Sequence, residues 1–75
     1  MIKTVHFSAK FDNYHMIYHG DINVNISNKD SVIKQVKNLL VMKCKDWCID
    51  SSTVNFIEIY YYEGNECINI FEWEK

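Results

Sequence analysis

Two histidines, His6 and His19, are the residues of this chain best placed for metal chemistry. A two-residue turn at Asp12-Asn13 would fold the first alternating segment back on the second and set His6 opposite His19. Directly paired side chains stand about 5 Å apart at Cβ, within reach of one metal ion. His15 falls two pairs further along. Asp21, set against Thr4 in the same register, is a distant carboxylate. Metal sites take three or four ligands, so the reading adopted is a solvated cross-strand pair and no bound metal. Cys44 and Cys48 are one helical turn apart, with Cys67 as the remaining thiol. An odd number of cysteines without a CxxC pair does not read as a zinc site or a disulfide framework, and packed, reduced thiols are expected. No glycine-rich phosphate loop, nucleophile elbow or paired-carboxylate site is present. The expectation is a protein that is not an enzyme and needs no cofactor.

Several elements position these residues. Val5, Phe7, Ala9 and Phe11 alternate with polar residues, and Tyr14, Met16, Tyr18, Ile22, Val24 and Ile26 keep the same period of two. The turn pairs Phe11 with Tyr14, Ala9 with Met16 and Phe7 with Tyr18, which puts both apolar rows on one face. Gly20 interrupts the second row and reads as a bulge or bend. Ser27-Asn28-Lys29-Asp30-Ser31 is a helix start. Val32, Ile33, Val36, Leu39, Leu40 and Cys44 follow at three- and four-residue steps, with Trp47 completing the stripe and Lys34, Gln35, Lys37, Asn38 and Lys45 opposite. This spacing predicts a helix over about 29–46. A second hairpin joins Val54–Tyr62 to Cys67–Trp73 through a turn at Gly64-Asn65.

Composition bounds the class. Seventy-five residues make one domain, 1–75. A chain of this size buries only about 60% of its unfolded surface, so association would help it. With 48% hydrophobic and 24% charged residues the chain is globular rather than disordered. No apolar run reaches the roughly 18–20 residues that span a bilayer, and Met1-Ile2-Lys3-Thr4 lacks a signal-peptide core. A cytoplasmic protein with no membrane partner is expected. The net charge of -2 is unevenly spread: lysines crowd the middle of the chain and glutamates its last third. The chain has no arginine and no proline, and it is rich in Lys, Asn, Ile and Tyr. That bias fits an AT-rich genome such as a low-GC bacterium, its phages or its mobile elements.

The order is ββαββ, an α+β domain with a four-stranded mixed sheet and one helix across one face. Joining strands 2 and 3 through the helix leaves strands 1 and 4 to pair in parallel at the centre. In element order this layout resembles the β-grasp domains, which include small immunoglobulin-binding and ubiquitin-like modules. The resemblance implies a fold and carries no functional residues with it.

One helix covers only one side of a sheet, yet the last hairpin is apolar on both. A turn at Gly64-Asn65 puts Ile57, Ile59, Tyr61, Ile68 and Ile70 on the helix side. It leaves Phe56, Tyr60, Phe71 and Trp73 outward as an aromatic patch bordered by His6. Aromatic side chains suit an interface because they give large contact area with few rotors to freeze. The reverse assignment makes the aromatics core and exposes the isoleucines. Base stacking on the patch would need cations for phosphates, and Glu58, Glu72 and Glu74 surround it instead, so nucleic acid is unlike the expected partner. The lysine face of the helix is either a solvated face or a dock for an acidic partner. The function expected is a small non-catalytic protein-binding module, such as a phage or mobile-element inhibitor or modulator of a larger host complex. The alternatives are a homodimer packed through the sheet face, a bacterial immunity or adaptor protein, and a metal protein using His6 and His19.

Overall fold

The computed structural model describes residues 1–12 and 14–75. The elements are β1 (Ile2–Phe11), β2 (Tyr14–Asn25), α1 (Lys29–Asp46), a 3₁₀ turn at Ser51–Thr53, β3 (Val54–Glu63) and β4 (Glu66–Glu74). The class is α+β and the order ββαββ. The helix has the bounds its periodicity implies. Asn28 caps it by accepting from the Ser31 N–H at 3.1 Å, and Asp30 sits in the first turn, where the helix dipole favours a carboxylate. Its other end closes in a Schellman arrangement. Cys48 takes a left-handed conformation (φ 55°), Ile49 N–H donates to Cys44 O at 2.8 Å, and Cys48 N–H donates to Lys45 O at 3.3 Å.

Val32, Val36, Leu40 and Cys44 of α1 bury against Val5, Phe7, Ala9 and Phe11 of β1, Val24 of β2, and Ile57 and Ile59 of β3. Trp47 is not part of this stripe. It is half-exposed beyond the helix end and meets Tyr18 edge-on at 5.2 Å.

The sheet order is β2-β1-β3-β4, with every neighbouring pair antiparallel. The sheet is therefore not mixed, and the β-grasp pairing of strands 1 and 4 is replaced by β1 with β3. Burial explains the choice. β3 buries Ile57 and Ile59, whereas β4 buries no residue and carries Glu66, Glu72 and Glu74. The more apolar strand takes the centre, and the acidic one suits an edge. Asp12 fastens the junction: its N–H donates to Thr53 O at 2.9 Å, and its carboxylate accepts from Asn55 Nδ2 at 2.8 Å.

Three irregularities shift the registers. Between Ala9 and Phe11 of β1, the single residue Lys10 is set against His15, Met16 and Ile17 of β2. Ala9 then pairs with Tyr18 rather than Met16, and Phe7 with Gly20 rather than Tyr18. Gly20 thus lies in a regular part of the ladder, not at a bulge. Asn55 is the extra residue between β1 and β3, and Ile70 that between β3 and β4. Of the expected first turn, Asn13 lies outside the described residues, while Phe11 pairs with Tyr14 as expected. At the second turn only Gly64 of the two central residues has positive φ (61°), the pattern of a type II′ hairpin turn.

Candidate protein-binding surface

The helix leaves one sheet face open. The registers place His19, Asp21 and Asn23 of β2 on it, beside Thr4, His6, Ser8 and Lys10 of β1. Phe56, Glu58, Tyr60 and Tyr62 of β3 follow, then Cys67, Asn69, Glu72 and Glu74 of β4. The expected aromatic patch is divided. Phe56 and Tyr60 are on the open face with His6, but Phe71 and Trp73 are not. The residue inserted at Ile70 turns the rest of β4 over, so Phe71 pairs with Ile59 and Trp73 with Ile57, on the helix side. Lys37 of α1 lies 5.2 Å from the Phe71 ring centroid. Trp73 lines a groove of about 270 Å³ with Leu40, Val41 and Cys44.

Three rings pack together on the open face. His6 stacks on Tyr60 at 5.6 Å and meets Tyr62 edge-on at 5.7 Å, and the two tyrosines are 5.8 Å apart. Burial pushes the Tyr60 hydroxyl above its ordinary pKa, and Tyr62, Glu58 and Cys67 add to the shift. Lys10 lies over Phe56 at 4.9 Å. His6 does not face His19. It pairs with Asp21, while His19 pairs with Ser8, and the Ser8 hydroxyl is 2.9 Å from His19 Nδ1. Thr4 pairs with Asn23, not Asp21, and donates to its side chain at 2.7 Å.

The face is acidic. Glu58 and Glu72 stand directly opposite each other, and Glu74 follows beside Phe56. With Asp21 that makes four carboxylates against the one cation Lys10. Like charges paired directly across a ladder destabilise a sheet. None of the four carboxylates forms an ion pair among the described residues, where the pairs are Lys3–Glu63 and Lys75–Asp12.

A second exposed feature departs from the expected apolar row, which set Tyr14 and Met16 with Tyr18 on one face with the core row of β1. Tyr14, Met16 and Ile17 of the bulged end of β2 share a groove of about 400 Å³ with Phe11, Tyr18, Trp47 and Ile49. Met16 is 81% exposed. No cluster of three or more His, Cys, Asp or Glu side chains suited to a metal occurs among the described residues. Nor is any helix among them long and apolar enough to cross a membrane. Comparison with protein-family models, curated proteins and solved structures finds no match to this chain.

Proposed function

We propose that this chain is a non-catalytic protein-binding domain whose open sheet face takes a positively charged segment of another protein. The observation that carries the reading is the Glu58–Glu72 pair, set directly opposite across β3 and β4, with Tyr60 next along the same face and Tyr62 packed edge-on against Tyr60. A cationic side chain laid between the two carboxylates would relieve their repulsion. The neighbouring tyrosines would give its stem an apolar surface and its charge a ring face.

The same charges argue against two other uses of this face. Nucleic acid phosphates would meet carboxylates instead of the cations they need. Two copies packed face to face would bring Glu58, Glu72 and Glu74 of both into one interface, where like charges cost on the order of several kcal/mol. A phage or mobile-element origin rests on the Lys, Asn, Ile and Tyr bias alone, and the surface reading does not depend on it. The test is an NMR titration with a lysine- and arginine-rich peptide, with Glu58→Lys/Glu72→Lys as control. Shifts at Glu58, Tyr60, Tyr62 and Glu72 that vanish in the double variant are expected. A response spread evenly over the surface, or kept by the variant, would sink the reading.

A further inference from the structure

The two edges of the sheet differ in charge. β4 carries Glu66, Glu72 and Glu74 within nine residues, the usual guard against strand addition. β2 carries Asp21 alone among carboxylates and lysines in twelve. The helix flank above β2 is equally bare: a groove of about 470 Å³ lies between Ile22 and Val24 of β2 and Gln35, Asn38, Leu39 and Met42 of α1. Met42 is 61% exposed. The lysine nearest the opposite flank, Lys37, is turned to Phe71 of β4. An unguarded edge beside an exposed apolar flank is the surface that strand pairing uses.

We propose that two copies of this chain join edge to edge through β2, antiparallel about a two-fold axis passing through Gly20. Register and charge select this arrangement. A two-fold axis perpendicular to a sheet sets one residue opposite its own copy and keeps both helices on the same side. With the axis at Asp21, the two carboxylates would meet. With the axis at Gly20, His19 of each copy faces Asp21 of the other, twice, on the open face. His19 uses Nδ1 toward Ser8, which leaves Nε2 for the carboxylate across the interface. On the helix side the same register sets Tyr18 against Ile22, both half-buried members of the apolar row. The bulge at His15–Ile17 ends the regular edge just beyond. The product is an eight-stranded antiparallel sheet, with Met42 and Leu39 of the two helices flanking the seam. This contact is separate from the acidic surface over β3 and β4, which both copies keep open on the same side.

The experiment is sedimentation equilibrium of the full chain from about 1 µM to about 1 mM, the range of moderate affinities, with circular dichroism melting on every variant. The wild type is expected to form a dimer. Asp21→Lys should raise its dissociation constant at least about tenfold, and His19→Glu added to Asp21→Lys should restore most of the loss. Met42→Lys, at an exposed position that cannot unfold the chain by cavity formation, should also weaken the dimer. Glu66→Lys on the other edge should leave it unchanged. In a mixture of labelled and unlabelled chains, Tyr18 ring protons should show intermolecular contacts to Ile22 methyls. A monomer throughout the range overturns the proposal. So does a dimer indifferent to both Asp21→Lys and Met42→Lys, and a dimer in which Tyr18 and Ile22 of different chains are not in contact.

Discussion

The ring of Phe7 lies against the backbone of Gly20 across the β1–β2 ladder. A methyl group at position 20 would stand 2.5 Å from Phe7 Cζ and 2.9 Å from Cε2. Phe7 is 2% exposed and belongs to the core row of β1. Glycine is therefore present because an aromatic ring occupies the space of its missing side chain, not because the chain bends.

Gly20→Ala is expected to destabilise the fold. The added methyl must displace a buried ring from a packed core, an overpacking cost of about 1–3 kcal/mol. Urea unfolding measures it. A neutral or stabilising substitution would show that Phe7 does not sit on Gly20.

Cys48 is the one non-glycine among the described residues with positive φ, at the left-handed position of the helix C-terminus. A side chain there costs roughly 1–2 kcal/mol, part of which glycine loses again through the entropy of its unfolded chain. Cys48→Gly should therefore stabilise by about 0.5–1 kcal/mol, and Cys48→Val should destabilise. Paired thermal melts would check the order, and the reverse order would contradict the Schellman geometry.

Leu40 and Lys37 separate the two sides of α1. Leu40 is 5% exposed and faces the core, so Leu40→Ala should cost about 2–5 kcal/mol. Lys37 is exposed, but its ammonium lies over Phe71. Lys37→Ala should cost no more than about 1 kcal/mol, with Lys37→Arg keeping most of the contact. Equal losses at Leu40 and Lys37 would show that the helix face is wrongly assigned.

What the sequence made legible follows its periodicities. The helix bounds, its cap, the alternating core row of β1 and the Gly64-Asn65 turn are local signals. The bulges were harder. The one at Lys10 adds an even number of residues to the register, which leaves the alternation of both strands untouched and so is silent. The one at Ile70 did leave a trace: the apolar residues of β4 are even-numbered at Ile68 and Ile70 and odd-numbered at Phe71 and Trp73. An unbroken alternation read across that switch puts Phe71 and Trp73 on the wrong face, which is why the expected patch kept only Phe56, Tyr60 and His6. The partner of β1 was not local at all. It depended on the relative burial of β3 and β4.

Cys44 should titrate and react unlike the other thiols. It is buried, while Cys48 and Cys67 are exposed. Burial pushes its pKa above the ordinary 9.0, and the Asp50 carboxylate adds to the shift. The sign follows: the folded state holds the proton more tightly than the unfolded state. Stability from this group is full below pH 9.0 and is lost as pH rises through the raised folded value. A thiol reagent at pH 8 should modify Cys48 and Cys67 rapidly and Cys44 only at the rate of unfolding. The high-pH loss of stability should be smaller in Cys44→Ala. Three equally fast thiols would contradict the burial of Cys44.

The Glu58–Glu72 pair predicts a trade between stability and binding. In the free protein two carboxylates face each other with no counter-ion among the described residues. Glu72→Lys converts a repulsive cross-strand pair into an attractive one, so the free domain should gain about 0.2–1 kcal/mol. The gain should shrink at high salt, since both side chains are accessible to solvent and ions screen them. The same substitution places a cation where the positively charged segment is proposed to lie, so binding of the lysine- and arginine-rich peptide should weaken at least about tenfold through like-charge opposition. Tyr62→Ala, at a half-exposed ring packed edge-on against Tyr60 on the same face, should weaken binding without the gain in stability. Urea unfolding at low and high salt, together with the peptide titration, reads both quantities on one set of variants. The acidic-face reading is falsified if Glu72→Lys stabilises the domain and binds the peptide as tightly as the wild type. In that case the carboxylate pair is an electrostatic cost with no partner to offset it.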